Sequence, residues 1–319
     1  MPSSAPKFLP ESADSALAFL FPGQGAQEPG MGFDLYKRSP AARAVYDIAD
    51  TVLGYKISRV CFEGPEEKLR ETEFTQPAIF TTSLACLAAA IETGKIAGRP
   101  AFVAGHSLGE YSALVAAGAL TLQDGLALLA ERARLMGEVG RETKGTMAAI
   151  LGLDEASVRE LCRDADVDVC NLNLATQTVI GGTHEGVERA MALAKERGAA
   201  RAQMLNVSGA FHSRLMAPAA ADLRLAIDKT TIVAPAVPVV ANASAEPLAT
   251  PAQISEELGV QVATAVRWHD SVTLMAARGV STYVEFGPGK VLTGMVRRIV
   301  EGATLMNVGN AADAGIAQG

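Results

Sequence analysis

Gly105-His106-Ser107-Leu108-Gly109 sets a serine between two glycines at the spacing G-x-S-x-G. Residues 100–104 ahead of it are apolar and read as a buried strand. Residues 110–120 after it are rich in Ala and Leu and read as a helix. Strand, tight turn and helix form a nucleophile elbow, which lifts a serine hydroxyl above the edge of a sheet. Such a turn is tight enough to need small residues two before and two after the serine, and both are Gly. The Leu108 amide then stands at a helix N-terminus, where a developing oxyanion is favoured. The plain alternative is an ordinary strand-to-helix turn with Ser107 as its N-cap.

A serine nucleophile needs a base, and the chain has 4 histidines. His106 abuts the serine and is expected to point to the opposite side of the backbone. His184 opens a helix, and His269 sits beside Trp268 at a helix start. His212 lies in residues 208–213, where the chain returns from a smaller inserted segment to the cleft. The residues alone leave that choice open. A second oxyanion donor is sought in Pro22-Gly23-Gln24-Gly25, which follows an apolar strand at 17–21. Glu28 stands where a dinucleotide fingerprint needs its third Gly, so no dinucleotide loop is read here. A loop at the C-terminal end of a parallel strand is still a ligand position, and it offers the Gln24 amide.

The elements that must carry these residues alternate strand and helix. Helical spacing covers 34–49, 58–72, 78–94 (with Pro77 near its start) and 122–139. In the last of these, Leu126, Leu128, Leu129, Ala133 and Met136 form the apolar face, and Arg132 reads as a surface charge. Residues 146–151, 167–173, 178–181 and 201–207 read as strands. Helices over 154–164 and 184–198 complete a β-α-β-β-α-β order, a ferredoxin-like subdomain. Beyond it come strands at 231–233, 237–240 and 282–286, with helices at 252–262, 272–278 and 291–300. The fold class is α/β: a large α/β-hydrolase-like domain with a mainly parallel sheet and a small inserted ferredoxin-like subdomain. The expected limits are a loose tail over 1–16, the large domain over 17–142 and 209–310, the small one over 143–208, and a frayed tail over 311–319.

Composition narrows the class. The chain has 319 residues, of which 49% are hydrophobic, enough for a sizeable core. A net charge of −7 argues against a nucleic-acid binder. Cys61, Cys86, Cys162 and Cys170 have neither C-x-x-C nor zinc-ligand spacing, so reduced thiols in a cytoplasmic protein and no metal are expected. No uncharged apolar run reaches the roughly 18 residues of a membrane span, and the first residues do not read as a signal peptide.

Taken together, several stretches resemble the malonyl-CoA:acyl carrier protein transacylases. They are Phe21-Pro22-Gly23-Gln24-Gly25, Gly105-His106-Ser107-Leu108-Gly109-Glu110, Arg132 in the next helix, Phe211-His212-Ser213 and Glu285-Phe286-Gly287-Pro288-Gly289. They occur in the family's order and spacing over residues 18–307. The resemblance implies that Ser107 takes a malonyl group from malonyl-CoA and passes it to the phosphopantetheine thiol of an acyl carrier protein. His212 is then base and acid, oriented by a backbone carbonyl near Gln261 rather than by a carboxylate. The amides of Gln24 and Leu108 form the oxyanion hole, and Arg132 holds the malonyl carboxylate. Phe211 is expected to disfavour α-methylated donors. The resemblance further implies no cofactor, no nucleic-acid or membrane partner, and a monomer. It also implies carrier docking through basic residues among Lys195, Arg197, Arg201, Arg214, Arg297 and Arg298.

There are departures. Leu174-Ala175-Thr176 replaces a Ser-Pro-type turn, Ala265 stands where Pro is usual before Val266, and Gly209 and Ala210 vary. Fatty-acid synthesis is the expected setting, with a trans-acting polyketide transferase as the alternative. A serine thioesterase is a more distant one, since no HGGG-type loop or triad acid is evident. A non-catalytic carrier-binding module is the last, and intact Ser107, His212 and Arg132 speak against it.

Overall fold

The computed structural model describes residues 6–317. Two strands open the large domain, β1 (Ser12–Phe21) and β2 (Gly98–Gly105). The chain then forms β3 (Thr146–Leu151), β4 (Asp168–Leu174), β5 (Gln177–Gly182) and β6 (Arg201–Met204). It returns through β7 (Val239–Val240), β8 (Pro247–Leu248), β9 (Thr282–Phe286) and β10 (Thr304–Val308). The larger sheet has the order β10-β9-β1-β2-β7-β8, parallel except for the last pair. The smaller has the order β4-β5-β3-β6 and is antiparallel throughout, so each of its helices crosses over one intervening strand. The expected α/β class, with its mainly parallel sheet and small antiparallel insert, is the one found.

The central pair β1 and β2 sets the site. Phe21 is in register with Gly105, and the His106 N–H donates to the Phe21 carbonyl, so the Gln24 loop lies against the elbow. On the other side Ala104 pairs with Val240, which brings the segment just after β7 to the same place. Behind the sheet runs the helix Thr72–Glu92, with residues 75–90 buried. It is long and apolar enough to cross a membrane, yet 89% of its apolar window is buried inside the protein. It is therefore the core helix here. The helix Leu122–Thr143 packs on it.

The chain crosses between the two domains twice, at adjacent points. A Cβ on Gly140 would press on the Ser208 carbonyl, and one on Gly145 would meet Ala210. The glycines let the two crossings run backbone to backbone. The small subdomain also reaches the large one through β4. Val266 donates to the Cys170 carbonyl and accepts from the Leu172 N–H, a bridge in the segment that contains Ala265.

Several boundaries differ from those expected. β1 begins at Ser12 and pairs from there with Gly98, so residues 12–16 are strand, not loose tail. Residues 1–5 of that expected tail lie outside the described residues. At the other end Ala311 and Ala314 are buried, and the Ala311 N–H donates to Asp34, so residues 311–316 are packed rather than frayed. The expected helix at 78–94 starts at Thr72 and takes Pro77 into its interior. The helix expected over 34–49 is broken at Ser39, which N-caps a second helix with Pro40 at its first position. Residues 231–233 form no strand; Val233 instead hydrogen-bonds the Ala119 carbonyl at the end of the elbow helix's loop.

Gly105 and Gly109 hold the elbow against β1. A Cβ on Gly105 would overlap the Gly109 carbonyl, and one on Gly109 would overlap the Phe21 carbonyl. Gly109→Ala is therefore expected to cost about 3 kcal/mol of stability. A lower urea midpoint checks this; an unchanged midpoint would contradict the close approach.

Candidate active site

Ser107 sits at the turn between β2 and the helix Gly109–Ala116 with φ 53°. His212, on the returning crossing, has φ 60°. Left-handed backbone at non-glycine residues is strained, and here it occurs at both facing residues. Other groups hold the strain in place. The Ser107 N–H donates to Asn242 Oδ1 at 2.7 Å, and Asn242 Nδ2 donates to the Gly105 carbonyl at 2.7 Å. The His212 N–H donates to the Val262 carbonyl at 3.0 Å.

The two side chains meet, with Ser107 Oγ 2.7 Å from His212 Nε2. His212 Nδ1 lies 2.9 Å from the Gln261 carbonyl and 3.2 Å from the Thr264 carbonyl. Carbonyls only accept, so Nδ1 carries the proton and Nε2 presents its lone pair to the serine hydroxyl. No carboxylate is among these partners. Burial, and then the charge of Arg132, push the imidazole down to about 3.

Arg132 departs most from its plain reading, since only 1% of it is exposed. The helices Leu122–Thr143 and Thr72–Glu92 face each other here. Arg132 Nη1 donates to Gln76 Oε1 at 2.5 Å. Its Nη2 donates to Gln261 Oε1 at 2.9 Å and to Ser107 Oγ at 3.0 Å. The guanidinium stands 5.5 Å from the Tyr111 ring centroid, a cation–π distance. Among the described residues none of its hydrogen-bond partners is a carboxylate. A buried cation whose hydrogen bonds go only to neutral groups, with Glu110 the acid that acts on it through space, can still take an anion.

These groups line one cavity of about 390 Å³, together with Gln24, Leu108, Met136, Leu205 and Phe211. The amides of Gln24 and Leu108 make no hydrogen bond among the described residues and remain open to an oxyanion. Phe211, 6% exposed, narrows the cavity beside His212. Glu66 and Arg70, paired with each other, stand among the lining residues. Among the described residues no group of His, Cys, Asp or Glu is arranged to hold a metal ion.

Of the seven site residues singled out from the sequence, six line this cavity, and Gln261 lies buried behind it, bonded to Arg132 and Ser107. His106 is among the lining residues; its Nε2 lies 2.9 Å from Asn173 Oδ1 and its ring 5.7 Å from that of Trp268, apart from the Ser107–His212 contact. His184 opens a helix of the small subdomain, and His269 pairs with Asp270. Arg197 and Arg214, two of the basic candidates, are tied to Asp164 and to Asp166 of the small subdomain. Sequence reasoning did not find Gln76, Asn242, Thr264 or the role of Glu110. Only Glu110 had a signal, its place inside the elbow motif.

This arrangement can move an acyl group by way of a serine, with the acyl chain's own anion bound nearby. The chain belongs to the acyl transferase family: the acyl transferase domain model matches residues 18–316. It is similar to the malonyl CoA-acyl carrier protein transacylase of Bacillus subtilis (strain 168), at 46% identity over 290 residues, 89% of this chain and 90% of that protein. An acyl carrier protein S-malonyltransferase from Vibrio cholerae superposes with a TM-score of 0.90 at 38% identity, covering 95% of this chain and 100% of the other. A malonyl-transacylase solved in complex with its type II polyketide synthase acyl-carrier protein gives 0.89 at 37% identity, covering 93% and 97%.

Because His212 is already neutral well below its ordinary range, its protonation is not expected to limit the serine near neutral pH. Labelling of Ser107 by a serine-reactive fluorophosphonate is expected to proceed at one rate from about pH 5 to pH 8. An acid limb centred near the ordinary histidine value would contradict the depressed imidazole.

Proposed function

We propose that this acyltransferase carries a malonyl group from malonyl-CoA to the phosphopantetheine thiol of an acyl carrier protein, by way of a malonyl-Ser107 ester, for fatty-acid synthesis. The observation that carries the reading is Arg132. A buried guanidinium bonded to the nucleophile itself suits an acyl group with a carboxylate two carbons from its thioester carbon. Malonyl is such a group, and acetyl is not.

The chemistry follows from the hydrogen bonds. Ser107 Oγ attacks the thioester carbon while its proton passes to His212 Nε2. The carbonyl oxygen becomes an oxyanion facing the Gln24 and Leu108 amides. The tetrahedral centre collapses, and the CoA sulfur leaves with the proton from His212. The carrier thiol then repeats the sequence in reverse, His212 taking its proton and returning it to Ser107. Oxyanion donors of this kind are each worth on the order of 3 kcal/mol of barrier.

Arg132 has a second effect. Its charge helps depress His212, and a bound carboxylate cancels much of that charge. An anionic acyl group thereby makes the base stronger as it docks. The nucleophile, base and anion anchor are all side chains of this chain, and a monomer working without a cofactor is part of the proposal. Four free, buried cysteines support a cytoplasmic setting. For docking the acidic carrier, Lys195, Arg201, Arg297 and Arg298 are the better basic candidates, since Arg197 and Arg214 are engaged by acids of the small subdomain. A polyketide carrier is the second reading, favoured by the neighbour bound to such a carrier. Competition between the two carriers for one enzyme separates the readings.

The test is transfer from malonyl-CoA to a phosphopantetheinylated carrier. The wild type is expected to load the carrier, while free malonate formed in its place would point to a hydrolase. Arg132→Ala is expected to cut malonyl transfer by about a hundredfold or more, with acetyl transfer kept or raised. Equal losses with both donors would remove the carboxylate-anchor role. Phe211 is proposed to exclude an α-methyl group, and equal rates with methylmalonyl-CoA would remove that role.

A further inference from the structure

One buried carboxylate beneath the site has no part in the chemistry above. Glu110, in the first turn of the elbow helix, is completely buried, and each of its oxygens faces an N–H. Oε1 accepts from the Asn242 main chain at 3.0 Å. Oε2 accepts from Gln261 Nε2 at 2.5 Å. Both partners are themselves fastened to the site. Asn242 clamps the elbow through the Ser107 N–H and the Gly105 carbonyl. Gln261 touches three functional groups at once: Nε2 donates to the Ser107 carbonyl at 2.9 Å, Oε1 accepts from Arg132 Nη2 at 2.9 Å, and its main-chain carbonyl accepts from His212 Nδ1 at 2.9 Å.

A side-chain amide has two unlike ends, and only its neighbours decide which faces where. For Gln261, the Ser107 carbonyl requires the NH2 on one side, and Glu110, whose carboxyl burial and the neighbouring Glu257 raise well above its usual range, places Oε2 to accept from that same NH2. The oxygen is then left for Arg132. We infer that Glu110 is a positioning residue that fixes the orientation of the Gln261 amide and so holds the Arg132 guanidinium in register with Ser107. The inference rests on Arg132 being the carboxylate anchor described above.

The isosteric change Glu110→Gln separates this from simple filling of space. The new amide must turn its carbonyl to the Asn242 N–H, which belongs to the backbone and cannot rotate. Its NH2 then points at the NH2 of Gln261, two donors face to face. Gln261 must then either shift away from the new amide or flip, which would set its oxygen against the Ser107 carbonyl and its NH2 against Arg132. Either movement displaces the acceptor that Gln261 Oε1 offers the guanidinium. The first consequence falls on the anionic acyl group, because a neutral acetyl group does not use Arg132.

The experiment measures single-turnover acylation of Ser107 by malonyl-CoA and by acetyl-CoA, with a thermal melt of each variant. Wild type, Glu110→Gln, Gln261→Ala and the double variant form the set. Glu110→Gln is expected to lower the malonyl-to-acetyl rate ratio about tenfold, the scale of one lost hydrogen bond to a charged group. Adding it to Gln261→Ala is expected to leave that variant's ratio unchanged, since the residue acts through Gln261. A change that only loosened the fold would lower both rates together. An unmoved ratio in Glu110→Gln, or a full further drop in the double variant, would overturn the inference. If Glu110→Gln does not fold, Glu110→Asp draws the carboxylate back from Gln261 and is expected to move the ratio the same way; an unmoved ratio there overturns the inference equally. A wild type that takes no malonyl group would overturn the underlying reading and this one with it. A wild type that does, with an unmoved ratio in the variant, overturns this one alone.

Discussion

The Arg132 guanidinium is a charge buried between two core helices and met only by neutral acceptors. Removing such a cation from water costs several kcal/mol, and its hydrogen bonds offset only part of that. The rest of the site is arranged around this imbalance. Gln76 reaches it from the core helix, Gln261 from the far wall, and Ser107 from the elbow. Burial first, and then this same charge, keep the His212 imidazole neutral. An anion that satisfies Arg132 relieves both the desolvated cation and the weakened base. In the proposed function, selectivity and reactivity both come from this one imbalance.

The fold supplies rigidity where that arrangement needs it. Nucleophile and base stand in left-handed backbone, a conformation that persists only where neighbours over-determine it. Three parts of the chain do so. β1 presses on the elbow through Gly109, the segment after β7 clamps it through Asn242, and the end of the helix Pro251–Gln261 holds both serine and histidine. The segment just beyond that helix is pinned by the bridge from β4 to Val266. The small subdomain is therefore tied to the carbonyls that orient the base. This also accounts for a histidine without a triad acid. Two fixed carbonyls set the tautomer, and a neutral resting imidazole needs no counter-charge.

Much of this was legible in the sequence, and the rest was not for definable reasons. The elbow announces itself because an apolar strand, a Gly-x-Ser-x-Gly turn and a helix adjoin over residues 100–120. The small subdomain shows through in its β-α-β-β-α-β order, and the structure adds Asp154 and Thr183 as the N-caps of its two helices. Arg132 by itself read as a surface charge; only the resemblance gave it a role, and burial between two helices is not encoded in its own neighbours. Gln76, Asn242 and Gln261 act through contacts 56 to 154 residues apart in the chain, and neither pattern nor spacing reports such pairs. The limits of elements failed where tertiary contacts overrode local signals. Pro77 reads as a helix start but lies inside a buried helix, and residues 12–14 lack an apolar run but pair with residues 98–100 at the start of β2.

The central claim is that Ser107 carries the malonyl group between two thiols. Intact mass after brief exposure to malonyl-CoA, with peptide mapping of the adduct, tests it most directly. The account predicts one malonyl adduct, located on Ser107, that disappears when a phosphopantetheinylated carrier protein is added and reappears on the carrier. An enzyme that consumes malonyl-CoA without forming that adduct, or whose adduct maps elsewhere, would contradict it.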